Sequence, residues 1–178
     1  MELLTFPLRE SFITVSSALY PEGISEVNKV VLAIVPHDYE SLTPVEDVMS
    51  ICKCEKSLVF MTAARKYKLK DLGDFYLFMS AGIGKSGEHA GRTINVGVFL
   101  RRNASINAMV DMLRTITEAK CSFLMKMGIT GTASDATAVG ISGGKRENFM
   151  GPSTEIGRMV SREVIRTLAE LLEKDKLM

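Results

Sequence analysis

The sequence predicts a single α+β or α/β domain spanning residues 1–178, with a mixed β-sheet and helices packed on it. Three observations carry this. The later half alternates strand, helix, strand, helix. The earlier half adds several short runs of β-branched and aromatic residues. No repeat, low-complexity stretch or linker divides the chain. Its 178 residues suffice for a genuine core.

Taken in order, residues 1–20 read as mostly strand, with Phe12-Ile13-Thr14-Val15-Ser16 rich in aromatic and β-branched residues, and Tyr20-Pro21-Glu22-Gly23 as a turn. Residues 24–35 have the apolar spacing of a helical face but a β-branched density that favours a strand over Asn28–Ile34. Thr43-Pro44-Val45-Glu46 has the form of a capped helix start, and the helix is expected to reach Cys52. Ser57–Thr62, around Leu58-Val59-Phe60-Met61, and Asp74–Met79, around Phe75-Tyr76-Leu77-Phe78, read as buried strands. Residues 81–92, with four glycines, read as a loop. Gly84-Lys85-Ser86 superficially matches a phosphate loop, but Met79 occupies the position of that motif's first glycine. Thr93–Leu100 reads as a strand, Ser105 to Met127 as a long helix, Ala136–Ile141 as a strand, and Ser142-Gly143-Gly144-Lys145 as a turn. The final helix, Thr154 to Glu173, puts Val160, Val164, Leu168 and Leu171 on one face and Arg158, Arg162, Arg166, Glu170 and Glu173 on the other.

Composition narrows the function classes. Lys and Arg number 22 against 21 Asp and Glu, with no basic stripe, which argues against a nucleic-acid partner. No 18-residue apolar stretch exists, so no membrane span is predicted. The start Met1-Glu2-Leu3-Leu4-Thr5 lacks the basic start and apolar run of a signal peptide, and the low, odd cysteine count points to a reducing cytosol, so a cytoplasmic location is expected. Cysteines 52, 54 and 121 form no disulfide framework and read as reduced thiols, the C-x-C pair as small apolar residues near a helix end. A closed zinc site wants four ligands, and no ligand set with convincing spacing appears; no cofactor is identified.

The long helix carries an anomaly. At about 100° per residue, Ile106, Met109, Val110, Leu113, Ile116, Phe123, Leu124 and Met127 share an apolar face, and Asn107, Asp111, Arg114, Glu118 and Ser122 the opposite one. Lys120 falls near the centre of the apolar face, with Thr117 beside it. Either its stem snorkels to water, or it is aimed into a site, where Asp135 or Glu155 is the candidate partner.

Thr130-Gly131-Thr132-Ala133-Ser134-Asp135 crowds hydroxyls, glycine and a carboxylate between a helix and a strand. Such a run can stabilise an oxyanion, supply a nucleophile or activate water. Equally, it can be a loop whose Ser134 or Asp135 satisfies nearby amides. Of the two histidines, His37 reads as a surface-loop residue and His89 lies in the glycine-rich run. Met61 and Met79 sit at strand ends, where they fill core or line an apolar pocket.

These motifs resemble the adenosylcobinamide amidohydrolase family of corrinoid salvage. That family's run Thr-Gly-Thr-Gly-Thr-Asp-Ala is matched by residues 130–136, with Ala133 and Ser134 as departures. Its Thr-Ile-Asn strand start is matched by Thr93-Ile94-Asn95, and its Glu-Ala-Lys helix end by Glu118-Ala119-Lys120. Its Gly-x-x-Thr-x-x-Gly is matched by Gly151, Thr154 and Gly157, with further matches at Ser16-Ser17-Ala18 and Met61–Ala64. The resemblance implies hydrolysis of the amide between the corrin propionyl side chain and aminopropanol. Asp135 is then expected to activate the attacking group, and Thr132 or Ser134 to face the oxyanion. Lys120 would stabilise charge or relay a proton. Thr93, Asn95, Thr130, Gly131, Thr154 and His89 are expected to bind substrate. The partner is a small-molecule corrinoid, and a homo-oligomer is compatible with the sequence. A non-catalytic corrinoid-binding protein and a hydrolase of another amide are the competing expectations. A corrin rimmed by amides calls for a pocket apolar at its base and polar at its edge.

Overall fold

The alternation of apolar residues along the strands builds a sheet with two buried faces. The computed structural model describes residues 1–82, 92–128 and 135–172. Its elements are β1 (Glu2–Ser16), β2 (Ile24–Ile34), α1 (Pro44–Met49), β3 (Ser57–Thr62), β4 (Tyr67–Asp71), β5 (Phe75–Gly82), β6 (Arg92–Leu100), β7 (Asn103–Ala104), α2 (Ile106–Lys126), β8 (Ala136–Ile141), β9 (Arg146–Glu147) and α3 (Glu155–Leu172). Among the described residues, seven strands form one mixed sheet in the order β3-β2-β1-β8-β6-β5-β4, and β7 pairs with β9 separately. β2 with β3 and β6 with β8 are parallel; β1 runs antiparallel to both β2 and β8, and β5 antiparallel to β4 and β6. The architecture is the expected α+β arrangement of sheet and packed helices.

Period-two alternation sorts the strand residues. Leu77 and Met79 of β5 and Val96 and Val98 of β6 pack under α2 and α3, against Met112, Ile116, Val160 and Val164. Tyr76, Phe78 and Phe99, from the opposite face of the same strands, join Phe12, Val30, Leu58 and Phe60 in a second core. The sheet curls around this second core. Phe60 of β3 stacks on Phe78 of β5, ring centroids 5.6 Å apart, although the two strands stand at opposite halves of the strand order. The bend is helped by β1, whose pairing with β2 shifts register between Pro7 and Phe12. α1 covers a smaller cluster of Val31, Ala33, Val48, Cys54 and Val59.

Five expectations are corrected. β4 was not foreseen: its sequence Tyr67-Lys68-Leu69-Lys70-Asp71 looks polar, but Lys68 and Lys70 ion-pair with Glu170 of α3, while Leu69 packs on the inner core. α1 stops at Met49, short of Cys52, and Thr43 makes no side-chain cap; the Thr43 amide instead donates to Ser41 Oγ at 3.0 Å. β5 runs on to Gly82, because its pairing with β6 continues past Met79. Cys52 and Cys54 are joined as a disulfide, their Cα atoms 5.2 Å apart, where separate thiols were expected. The turn that follows α1 folds both side chains to one side, with the Ile51 and Cys52 amides donating back to Val48 O. Finally, the buried stripe of α2 is Ala108, Met109, Met112, Thr115, Ile116, Ala119, Lys120 and Leu124, whereas Ile106, Val110 and Thr117 are exposed. The stripe is rotated because α3 and the sheet cover two sides of the helix. Ser105 does cap α2, its Oγ accepting from the Ala108 amide at 3.3 Å.

Candidate functional site

The start of β6 puts residues of alternating side to alternating use. Ile94 points to the helix-covered core, while Thr93 and Asn95 line a cleft on the other side. Parallel pairing registers Asn95 with Ala136, which brings Asp135 level with Ile94. Asp135 Oδ1 accepts from the Ile94 amide at 2.8 Å, and Oδ2 accepts from Lys120 Nζ at 2.6 Å. The Lys120 and Asp135 side chains are only 7% and 9% exposed. Thus Lys120 does not snorkel to water. It turns inward to one of the two carboxylates the sequence offered, and the pair ties α2 to the neighbouring starts of β6 and β8. Burying two charges is tolerated because each is met by the other, and the carboxylate also accepts from a backbone amide.

The cleft has a volume of about 430 Å³. Its walls come from the ends of β1 and β3, the segment after β2, and the starts of β6 and β8; Leu19, Val35 and Met61 supply apolar surface, and Ser17, Thr62, Thr93 and Asn95 polar groups. The most buried of these lining residues are Asn95 at 1% and Thr62 at 2% exposure, so the expected apolar base holds buried polar groups. The Thr62 hydroxyl is engaged locally, accepting from the Ala64 amide at 2.9 Å. The curl of the sheet determines how Asn95 sits. Its Nδ2 donates to Met61 O of β3 at 3.2 Å and to Ser80 Oγ of β5 at 3.1 Å. A carbonyl can only accept, so the Met61 contact fixes which amide atom is nitrogen. The other atom, Oδ1, is buried and has no partner among the described residues.

Two residues at the cleft escaped sequence reasoning. His37, read as a surface-loop residue, is exposed as expected but stands in the cleft wall. Tyr39 joins it, its hydroxyl donating to Asp47 Oδ2 of α1 at 2.6 Å. That hydrogen bond to Asp47 raises the Tyr39 pKa, while the Ser41 hydroxyl and then Tyr39 lower that of Asp47. No local signal could have found either residue, because the segment after β2 reaches the cleft only once β3 and β6 approach each other.

Of the other residues expected at the site, Thr154 is placed elsewhere: it caps α3, its hydroxyl donating to Gly151 O at 2.8 Å and accepting from the Gly157 amide at 3.0 Å. The Gly-x-x-Thr-x-x-Gly spacing therefore has a structural cause. A Cβ on Gly157 would stand 2.0 Å from Gly151 O, so the first turn of α3 needs glycine at that point. Thr130, Gly131, Thr132, Ser134 and His89 lie outside the described residues. Among the described residues, no three His, Cys, Asp or Glu side chains converge on one point, and no helix is long and apolar enough to cross a membrane.

A family model for adenosylcobinamide amidohydrolase matches residues 1–177. No curated protein and no solved structure matches the chain.

Proposed function

The chain belongs to the adenosylcobinamide amidohydrolase family, and from that premise we propose that it hydrolyses the amide joining the corrin propionyl side chain to aminopropanol in adenosylcobinamide. Water adds its oxygen to the carbonyl carbon, the C–N bond breaks, and the nitrogen gains a proton. The products are adenosylcobyric acid and 1-amino-2-propanol. The observation that carries this reading is the family match across nearly the whole chain.

The cleft is compatible with it. A volume of about 430 Å³ is that of a small-molecule pocket. It admits the side-chain arm that carries the amide and leaves the corrin ring at the mouth. In this reading Asp135, one residue from cleft-lining Ala136, orients the attacking water, and the Lys120 ammonium beside it offsets the negative charge that develops. Thr93 and Asn95 bind the arm, and Thr132 or Ser134 with neighbouring amides faces the oxyanion. Thr130, Gly131 and His89 remain assigned to substrate, whereas the hydroxyl of Thr154 serves the α3 cap. The corrinoid is a small-molecule partner, and the reaction belongs to cobalamin salvage in the cytoplasm.

The test is direct. Purified protein is incubated with adenosylcobinamide and the corrinoid is followed by mass spectrometry. Adenosylcobyric acid should appear in proportion to protein and time. A corrinoid that returns unchanged, with and without added divalent metal, overturns the reading, and binding without turnover would mark a corrinoid carrier instead.

A further inference from the structure

Asn95 presents an unusual combination. It lines the cleft, is 1% exposed, and spends both amide hydrogens on Met61 O and Ser80 Oγ, yet Oδ1 has no partner among the described residues. A buried acceptor without a donor is costly, and native structures keep few of them. The flip that would relieve it is blocked, because it would set Oδ1 against the Met61 carbonyl. The amide is thus held from two strands with one lone-pair-bearing atom left over. That is the arrangement of a group waiting for a donor from a molecule seated in the cleft.

We infer that Asn95 Oδ1 accepts the N–H of the amide being cleaved, which makes this site selective for a secondary amide. The inference rests on the amide-hydrolysis reading and deepens it. In that reading Asp135 orients the water that attacks the scissile bond, and it is tied to the Ile94 amide, the residue before cleft-lining Asn95. The donor of the substrate arm closest to that bond is its own N–H. Held there, the nitrogen turns its lone pair away from Asn95, toward the proton it must gain as the C–N bond breaks. The carboxylate product offers only acceptors, so it faces Oδ1 with like polarity and leaves.

The experiment compares the natural amide with the ester of the same corrinoid acid and propane-1,2-diol, which has no N–H. Both are assayed with wild type, Asn95→Ser and Asn95→Ala. The variants should lose at least tenfold in kcat/KM on the amide and less than threefold on the ester. A purely structural Asn95 would lower both alike, and equal losses, or none, overturn the inference. Should both variants fail to fold, wild type alone decides: its KM for the amide should be at least tenfold below that for the ester, and equal values overturn the inference. If wild type cleaves neither compound, the amide-hydrolysis reading itself has failed, and the inference falls with it.

Discussion

Replacing Lys120 by methionine tests whether the buried pair holds the site together. Methionine keeps most of the stem and removes the charge. It leaves the Asp135 carboxylate, 9% exposed, with its Ile94 hydrogen bond at 2.8 Å but without the ammonium at 2.6 Å. Breaking one side of a buried ion pair costs about 3–5 kcal/mol, because the remaining charge has given up water without keeping its counter-ion. Since small domains are stable by only about 5–15 kcal/mol, the variant should show a large drop in urea midpoint by circular dichroism. Asp135→Asn keeps an oxygen for the Ile94 amide and strands Lys120 instead. In the double variant neither charge is stranded, so its loss should fall short of the sum of the single losses by about 0.5–3 kcal/mol. A Lys120→Met protein within about 0.5 kcal/mol of wild type, the range of an ordinary surface change, with additive single effects, would refute the reasoning. It would place the ammonium in water.

Four further outcomes are expected. In a folded Asp135→Asn protein, turnover of adenosylcobinamide should fall at least about a hundredfold, or about 2.7 kcal/mol of barrier; near-normal turnover would remove the residue from the chemistry. Gly157→Ala should cost about 1–3 kcal/mol or more in denaturant unfolding, since the added methyl meets the Gly151 carbonyl at 2.0 Å, and Thr154→Ala about 1 kcal/mol through loss of the α3 cap; an unchanged midpoint in either case would contradict the packing described. Hydrogen bonds from Lys68 and then Lys70 lower the Glu170 pKa from 4.5 to about 2. A lowered carboxylate stabilises the fold above its unfolded pKa, and this contribution is lost as pH falls through the folded value. Glu170→Gln should therefore be less stable than wild type at pH 7 by about 1 kcal/mol, solvent holding the figure down at 31% exposure. That difference should shrink as pH falls from about 4.5 and close only below about 2; a difference that does not shrink over this range would contradict the assignment.

Much of the fold was legible because its signals are local. The β-branched runs of β2, β3, β5, β6 and β8 and the 3.6-residue period of α2 and α3 read correctly from neighbours a few residues apart. β4 was missed because its lysines look like a solvated segment until Glu170, about a hundred residues later, is brought against them. The apolar face of α2 was misjudged by part of a turn, since the sequence shows one helix's periodicity but not which two surfaces will cover it. Lys120 stood out even so: a cation among apolar neighbours at helical spacing is visible without a structure.

Most of the elements, the family resemblance and a lysine that required a partner are written in local sequence. Which carboxylate that partner is, and what surrounds it, follows from tertiary contacts alone. The strand order places β8 beside β6, so Asp135 reaches the Ile94 amide, 41 positions earlier in the chain. The curl of the sheet brings β3 to β6, so Asn95 grips Met61 O across 34 positions and His37 arrives in the wall of the same cleft. Periodicity records the face each residue shows to its own helix or strand. It carries no information on which distant segment will meet that face, and the site is made almost entirely of such meetings.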